Sequence, residues 1–534
     1  MSDTPSSQSN APEHKEQGWF GKFLNLVEWL GNLLPHPVIL FAMFALGVIL
    51  VSGIAGLFDL SVVDPRPEGA KGRSADGMIY AVSLMNGEGL RLIVSGLVTN
   101  FTNFVPLGTV LVAMLGVGVA ERSGLLTVAI RLLVLKAPPR FITAALVLGG
   151  VLSNTASEMG YVVLVPMAGY IYLSLGRHPI AGMAAAFAGV SGGYSANLLI
   201  GTVDPLLSGI TQEAAQLIDP AYQVHAAVNY YFMAGSTFLI TIVGTFVSLV
   251  IVEPRLGTYD PSLASEKLDT SDTLKPVSGL EIRGLWMAAF SVLVLMGIVG
   301  FMLQSGGALR NPETDEILNS PFLKGIVAFI FIFFLVPSVV YGKVVGTIKK
   351  GDDVVDGMAK AMSTLGLYIV LVFFAAQFVA FFKLTNLGSI LAVTGADFLK
   401  DIGLTNALVF IPFILMCCFV NLMLGSASAQ WAVTAPIFVP MLMLVGFSPE
   451  VIQAAYRIGD STTNVITPMM SYFGLILAFA MRFDKKIGIG TIVSTMLPYS
   501  MLFLFCWIIF FYLWVFGLGL PIGPATTIYY APGG

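Results

Sequence analysis

Long apolar runs separated by short polar segments set the rhythm of the chain. Runs close to the ~20 residues needed to cross a ~30 Å hydrocarbon core recur at about 37–58, 105–120, 179–210, 230–252, 285–303, 321–341, 363–385, 455–480 and 490–518. They predict an all-α polytopic membrane protein with about nine transmembrane helices, an odd number that places the termini on opposite faces. Loop charges agree with that parity. Arg131, Lys136, Arg140 and Arg177 fall on one side, as do Lys343, Lys349 and Lys350 and then Arg482, Lys485 and Lys486. By the positive-inside rule this side is cytoplasmic. Loop 211–229 has no Lys or Arg and belongs outside, as does 304–320, where Arg310 is outweighed by Glu313, Asp315 and Glu316; the mixed 253–284 loop is assigned inside by order. Residues 1–17 are polar, Lys15 and Lys22 precede the first run, and no charge occurs from 487 to 534. The expectation is a cytoplasmic N-terminus with no cleavable signal peptide and an external C-terminus.

Two segments break the rhythm. Phe141–Leu152 is an apolar stretch of only 12 residues, roughly 18 Å as helix, followed by the polar Ser153–Gly160 and then by Tyr161–Ser174. Basic residues flank both ends, so the path enters the membrane, turns at the polar segment and leaves by the same face, as a re-entrant hairpin. Leu404–Gly446, broken at Gly425–Gln430, is its counterpart, with the sparsely charged flanks Lys400, Asp401 and Glu450 that suit the outer face. The two segments head an internal repeat. Ser157 precedes Asn197 of GGYSAN (Gly192–Asn197) by 40 residues, and Ser428 precedes Asn464 of GDSTTN (Gly459–Asn464) by 36. Each half reads as a membrane helix, a Ser-rich tip with a proline beyond it (Pro166, Pro436), a helix interrupted at G-x-x-[ST]-x-N, and another helix. With one hairpin opening inward and the other outward, this is an inverted-topology repeat with broken helices, the arrangement of secondary transporters, whose sites lie where the breaks meet.

Composition fits lipid burial. Hydrophobic residues make up 56% of the 534 and charged residues 11%, against roughly 25% charged in soluble domains, and the mean hydropathy is +0.85. The net charge of −4 and the absence of a Lys/Arg tract argue against a nucleic-acid partner. Cys417, Cys418 and Cys506 sit within apolar runs and read as small core residues.

Non-helical backbone at membrane depth survives only inside protein or against a wet cavity. The tips and breaks offer hydroxyls, amides and free carbonyls, an oxygen-rich set suited to a small cation such as Na⁺. The candidate ligands are Ser153, Asn154, Ser157, Gly192, Asn197, Ser426, Thr462 and Asn464; the plainer alternative is that these small polar residues let helices approach and hydrogen-bond. Charges in the apolar segments are few: Glu158, Asp204, Arg457 and Asp460. Arg457 and Asp460, three apart, share a helix face and can pair. Functionally, Arg457 can receive a carboxylate through its forked donors while Asp460 helps to bind a coupling cation or proton. Trp431 offers a flat face to an aromatic ring or fills a core, and Pro205 and Pro468 end or kink helices beside the breaks.

GVSGGYSANLLIGTVDPLL (189–207), GSASAQWAVTAPIFVPM (425–441) and AAYRIGDSTTNVITPMMSYFG (454–474) resemble the AbgT family of p-aminobenzoyl-glutamate transporters, and the likeness continues through SNTASEMGYVVL (153–164) and VEWLGNLLPHP (27–37). The resemblance implies a homodimer in the bacterial inner membrane, each protomer having nine membrane helices and two hairpins split between a dimerising scaffold and a transport core. It also implies that Asp204, Ser428, Trp431, Arg457, Asp460 and Pro468 line the path of p-aminobenzoyl-glutamate or of sulfonamide drugs, driven by Na⁺ or H⁺, with no other cofactor. The expected layout is a cytoplasmic tail (1–36), first scaffold helices (37–140), a first core half (141–252, with hairpin 141–174 and broken helix 179–210), further scaffold (253–403), a second core half (404–518, with hairpin 404–446 and broken helix 455–480) and an external tail (519–534).

Two other classes fit the sequence less well. Gly189–Val190–Ser191–Gly192 matches the G-x-S-G of rhomboid intramembrane proteases, but His14, His36, His178 and His225 all fall in tails or loops, leaving no base for Ser191. An ion channel requires a continuous pore, whereas an inverted repeat predicts alternating access and saturable counterflow. The topology is directly testable: in a cysteine-free background, cysteines at positions 140 and 177 should be labelled only from the cytoplasm and one at 531 only from outside. Labelling of 140 and 177 from opposite faces would eliminate the first hairpin.

Overall fold

The computed structural model describes residues 35–66, 73–156, 160–265, 276–317 and 320–530. Lys15 and Lys22, most of the 27–37 motif, Ser157 and Glu158 of the first tip, and position 531 lie outside these. Among the described residues, nine helices are long and apolar enough to span a membrane. Seven coincide with expected crossings: Pro37–Leu57, Gly87–Ser123, Tyr230–Leu256, Gly279–Met302, Ile326–Val345, Gly366–Leu384 and Ile489–Gly517. The other two, Ala407–Leu424 and Ala427–Val445, are the arms of the second hairpin. The runs at 179–210 and 455–480, expected as broken helices and counted among the crossings, are divided into shorter helices, so the number agrees while its membership differs. A small antiparallel ribbon, Ser61–Val63 with Met78–Tyr80, is an exception to the all-α expectation.

The divisions have local causes. Pro179 opens the first broken helix (Pro179–Phe187), which widens through Ala188–Gly192, runs irregularly, and restarts as Val203–Ala215 with Asp204 and Pro205 in its first turn. The second broken helix is capped by Ser448, spans Pro449–Asn464 and restarts at Phe473–Phe483. Pro468 lies four residues beyond Asn464, so its ring would clash with the last helical carbonyl, and the helix stops there. Gly425, at φ +55°, turns the second hairpin, and Ser426 caps the arm that follows. The first hairpin descends through Ile142–Ser153, tightens at Asn154–Ala156 and returns through Gly160–Leu164 and Val165–Ser174.

In both halves the descending hairpin arm packs against the broken helix. A Cβ on Gly189 would lie 2.2 Å from the Val147 carbonyl oxygen, and one on Gly459 would lie 2.7 Å from that of Ile414. Glycine is required at both crossings because the backbones themselves touch, the device by which small residues bring membrane helices together. Helices Tyr230–Phe246 and Ile489–Phe511 pack against this core, while Pro37–Leu57, Val105–Ser123, Gly279–Met302, Ile326–Val345 and Gly366–Leu384 pair with one another beside it. Leu387–Asp401, expected in the scaffold, packs on Ala427–Val445 of the second hairpin. Glu450, one of the charges flanking the second hairpin, is buried and accepts hydrogen bonds from the Tyr222 hydroxyl. The segment expected as an external tail docks on the second hairpin's end, with the Tyr530 N–H donating to the Gly446 carbonyl at 2.9 Å.

Because neither crossing can absorb a methyl without moving backbone, Gly189→Ala and Gly459→Ala should each destabilise the protein by about 1–3 kcal/mol. Thermal unfolding in detergent measures this, with Gly474→Ala, where a Cβ meets nothing within 4 Å, as the neutral control.

Candidate functional site

Both tips and both breaks reach one cavity of about 230 Å³. Asn154 and Tyr161 line it from the first hairpin, Tyr194 and Thr202 from the first break, Ser426 and Ser428 from the second tip, and Asn464 and Tyr472 from the second break. Direct bonds hold the four pieces together. The Ser195 N–H donates to the Ser461 hydroxyl at 3.1 Å, joining the two G-x-x-[ST]-x-N segments. Thr155 donates to the Asn197 side-chain oxygen at 3.0 Å, and Asn421 donates to that of Asn464 at 2.9 Å, so in each half the hairpin grips the asparagine of its own break. The Tyr161 and Tyr472 rings stack across the halves at 4.8 Å and 5°.

The candidate cation ligands fall into two groups. Asn154, Ser426 and Asn464 line the cavity; Asn154 is buried with neither side-chain polar atom partnered. Ser153, Gly192, Asn197 and Thr462 stand in the supporting walls. The Ser153 and Thr462 hydroxyls donate to the Gly150 and Ile458 carbonyls of their own helices, which spends their protons and leaves their lone pairs. Ser157 lies outside the described residues. Among the described residues no group of three His, Cys, Asp or Glu side chains gathers as a metal site, and the described candidate ligands at the cavity offer neutral oxygens.

The charges are arranged differently from the helical spacing. Arg457 pairs with Asp204, not with Asp460: Nη2 lies 2.6 Å from the Asp204 carboxylate, and the side chains are 2% and 5% exposed. The other Asp204 oxygen accepts the Gly201 N–H at 2.7 Å. Sharing a helix face permits a pair but does not compel one, and the extended Arg457 side chain reaches across to the restarted first broken helix. Asp460 is fully buried, and neither of its carboxylate oxygens has a hydrogen-bond partner. An ionised carboxylate without a donor is costly to bury, so Asp460 carries an unmet demand in this conformation.

Trp431 takes the core-filling alternative in this conformation. It is fully buried, stacked on Tyr456 at 4.2 Å and 23°, with Nε1 donating to the Thr211 hydroxyl at 2.9 Å. Thr211 in turn donates to Gln453, which donates to Asn229. Ser428 and Pro468 are half-buried, the first at the cavity and the second within its bounding break. Sequence reasoning missed Tyr161, Tyr472, Tyr456, Asn421 and Gln453. Asn421, the one amide in the apolar arm Phe410–Leu424, carried a legible signal; the tyrosines did not, since aromatic residues are common in membrane helices.

The match to the AbgT transporter family extends over residues 22–530. The chain belongs to that family. It is 37% identical over 525 residues to the p-aminobenzoyl-glutamate transport protein of Escherichia coli (strain K12), covering 98% of each chain. It also matches the solved structure of Neisseria gonorrhoeae MtrF, described as illuminating a class of antimetabolite efflux pumps, at 57% identity and TM-score 0.89, over 94% of this chain and 99% of that one. The YdaH transporter of Alcanivorax borkumensis, described as having an unusual topology, matches at 42% identity and TM-score 0.84, over 92% of this chain and all of its own. This AbgT-family protein is therefore a multi-pass membrane transporter.

The Arg457–Asp204 pair makes a quantitative prediction. Asp204→Ala strands a buried cation and should cost on the order of 3–5 kcal/mol, whereas Asp204→Ala with Arg457→Met removes both charges and should recover most of that loss. Unfolding midpoints of the single and double variants in detergent test the coupling; additive losses would show that the pair is not energetically linked.

Proposed function

We propose that this protein is a secondary active transporter that moves p-aminobenzoyl-glutamate, exports sulfonamide-type antimetabolites, or does both, across a bacterial inner membrane by alternating access coupled to Na⁺ or H⁺. The observation that carries the reading is the convergence of two hairpin tips and two broken helices on one cavity, the construction that places substrate and ion sites at a repeat interface in secondary transporters. In this reading the hairpins are re-entrant from opposite faces, with the N-terminus cytoplasmic and the C-terminus outside.

Arg457 receives the carboxylate of the solute by exchange with Asp204, so loading and the internal ion pair compete for one guanidinium. Asp460 takes the coupling proton or stands beside the coupling cation, and Asn154, Ser426 and Asn464 supply neutral oxygens. Ser428 and Pro468 border the path, and Trp431 holds its wall in the present conformation. Gly279–Met302, whose apolar window is only 6% buried and which exposes Trp286, Phe290 and Phe301, offers its face to lipid and to a second protomer of a homodimer. The protease reading has no support at the residue it needs: the Ser191 hydroxyl is buried and meets Met470 Sδ at 3.4 Å, not a base.

Proteoliposomes loaded against separately imposed Na⁺ and pH gradients, with labelled p-aminobenzoyl-glutamate and sulfamethazine, test the proposal. One gradient should drive saturable uptake with counterflow. Asp460→Asn, which keeps shape and removes the charge, should lower gradient-driven uptake at least about tenfold, the effect of ~1.4 kcal/mol, in protein that still elutes as the wild-type species. Equal uphill transport by Asp460→Asn would remove this carboxylate from coupling, and flux that neither saturates nor shows counterflow would make the protein a channel.

A further inference from the structure

We propose that Tyr472, backed by Tyr161, is the platform on which the aromatic ring of the solute docks, an inference that rests on the substrate class proposed above. A ring-bearing solute requires a flat apolar surface reachable from the cavity. Trp431 does not provide one in this conformation, being fully buried against Tyr456 and bonded through its indole nitrogen.

The tyrosine pair differs in each of these respects. Tyr161 and Tyr472 both line the cavity and lie parallel at 4.8 Å. Tyr161 is 5% exposed and is fixed by the edge of Phe187 at 6.2 Å, whereas Tyr472 is only half-buried and is the member with surface to spare. Tyr472 is also the last residue before helix Phe473–Phe483, so its ring is carried by the break rather than locked within a helix. Around the pair stand Ser426, Ser428, Asn464 and the unpartnered amide of Asn154, donors and acceptors suited to an amino, amide or sulfonyl substituent on a ring. At about 230 Å³ the cavity is smaller than the ~300–1,000 Å³ of sites that enclose drug-sized ligands. It therefore fits one substituted ring and leaves a charged tail to reach toward other groups.

The experiment compares binding of p-aminobenzoyl-glutamate with that of cyclohexanecarbonyl-glutamate, which keeps the tail and replaces the flat ring by a saturated one, to the full-length protein in nanodiscs by titration calorimetry. Wild type should prefer the aromatic solute. Tyr472→Leu should raise its Kd on the order of tenfold, as loss of an aromatic stacking partner does, and leave the saturated analogue within about twofold. Tyr472→Phe should restore wild-type discrimination. Should Tyr472→Leu fail to fold, Tyr472→Met, unbranched and of similar reach, carries the same expectation. An equal loss for both solutes, no loss for either, or no preference in wild type overturns the platform while the transport reading stands. Absence of p-aminobenzoyl-glutamate binding to wild type overturns the substrate class and the platform with it.

Discussion

The buried ion pair between Arg457 and Asp204 is the interaction on which the rest of the core depends. An arginine in a membrane-embedded helix must find a counter-charge or water, and here the counter-charge comes from the opposite half of the repeat, 253 residues earlier. The same carboxylate accepts the Gly201 N–H, so one side chain neutralises the second broken helix and anchors the backbone where the first restarts. Docking the two halves is thereby linked to ending the break.

Further contacts organise each half around that linkage. Backbone contact at Gly189 and Gly459 ties each broken helix to its own hairpin, and the Thr155–Asn197 and Asn421–Asn464 bonds tie each tip to its own break. Between the halves, the cavity holds one hydroxyl bond at Ser461 and one pair of stacked rings, and away from it the halves are joined by the Arg457–Asp204 pair, the Trp431–Thr211 bond and the packing of Ala427–Val445 on Val203–Ala215. Asp460, buried without a donor, adds an unmet electrostatic demand that a proton or a cation can satisfy, and hence a means for an ion to change the stability of this arrangement.

The chain Trp431–Thr211–Gln453–Asn229 crosses from the second hairpin to the first broken helix, then to the second, and on to the loop before Tyr230. A buried amide or indole is stable only with its partners, so these residues specify which helices meet and at what register. Trp431 serves packing in this conformation, and the flat surface proposed for the solute is that of Tyr472, backed by Tyr161.

Much of the architecture was legible in the sequence because lipid imposes a blunt rule: a segment either carries enough apolar residues to span or it does not. Seven of the spans, the two tips and the two interruptions at G-x-x-[ST]-x-N followed from run length and from small polar residues where lipid forbids open backbone. Pro468 and Gly425 marked their breaks through local sterics alone. The residues at which each interrupted helix restarts, Val203 and Phe473, were less legible and came from the packed structure. Partner choice was not legible at all. Helical spacing allowed Arg457 to meet Asp460, and chain-distant Asp204 took it instead, because a side chain that long pairs with whatever the fold brings within reach. The exposure of an aromatic ring is likewise a property of its neighbours: Tyr456 covers Trp431, while the break leaves Tyr472 at the cavity. The sequence by itself determined where backbone must leave the helix; the tertiary structure decided which charges and rings meet there, since contacts such as Arg457–Asp204 and Tyr161–Tyr472 join residues hundreds of positions apart.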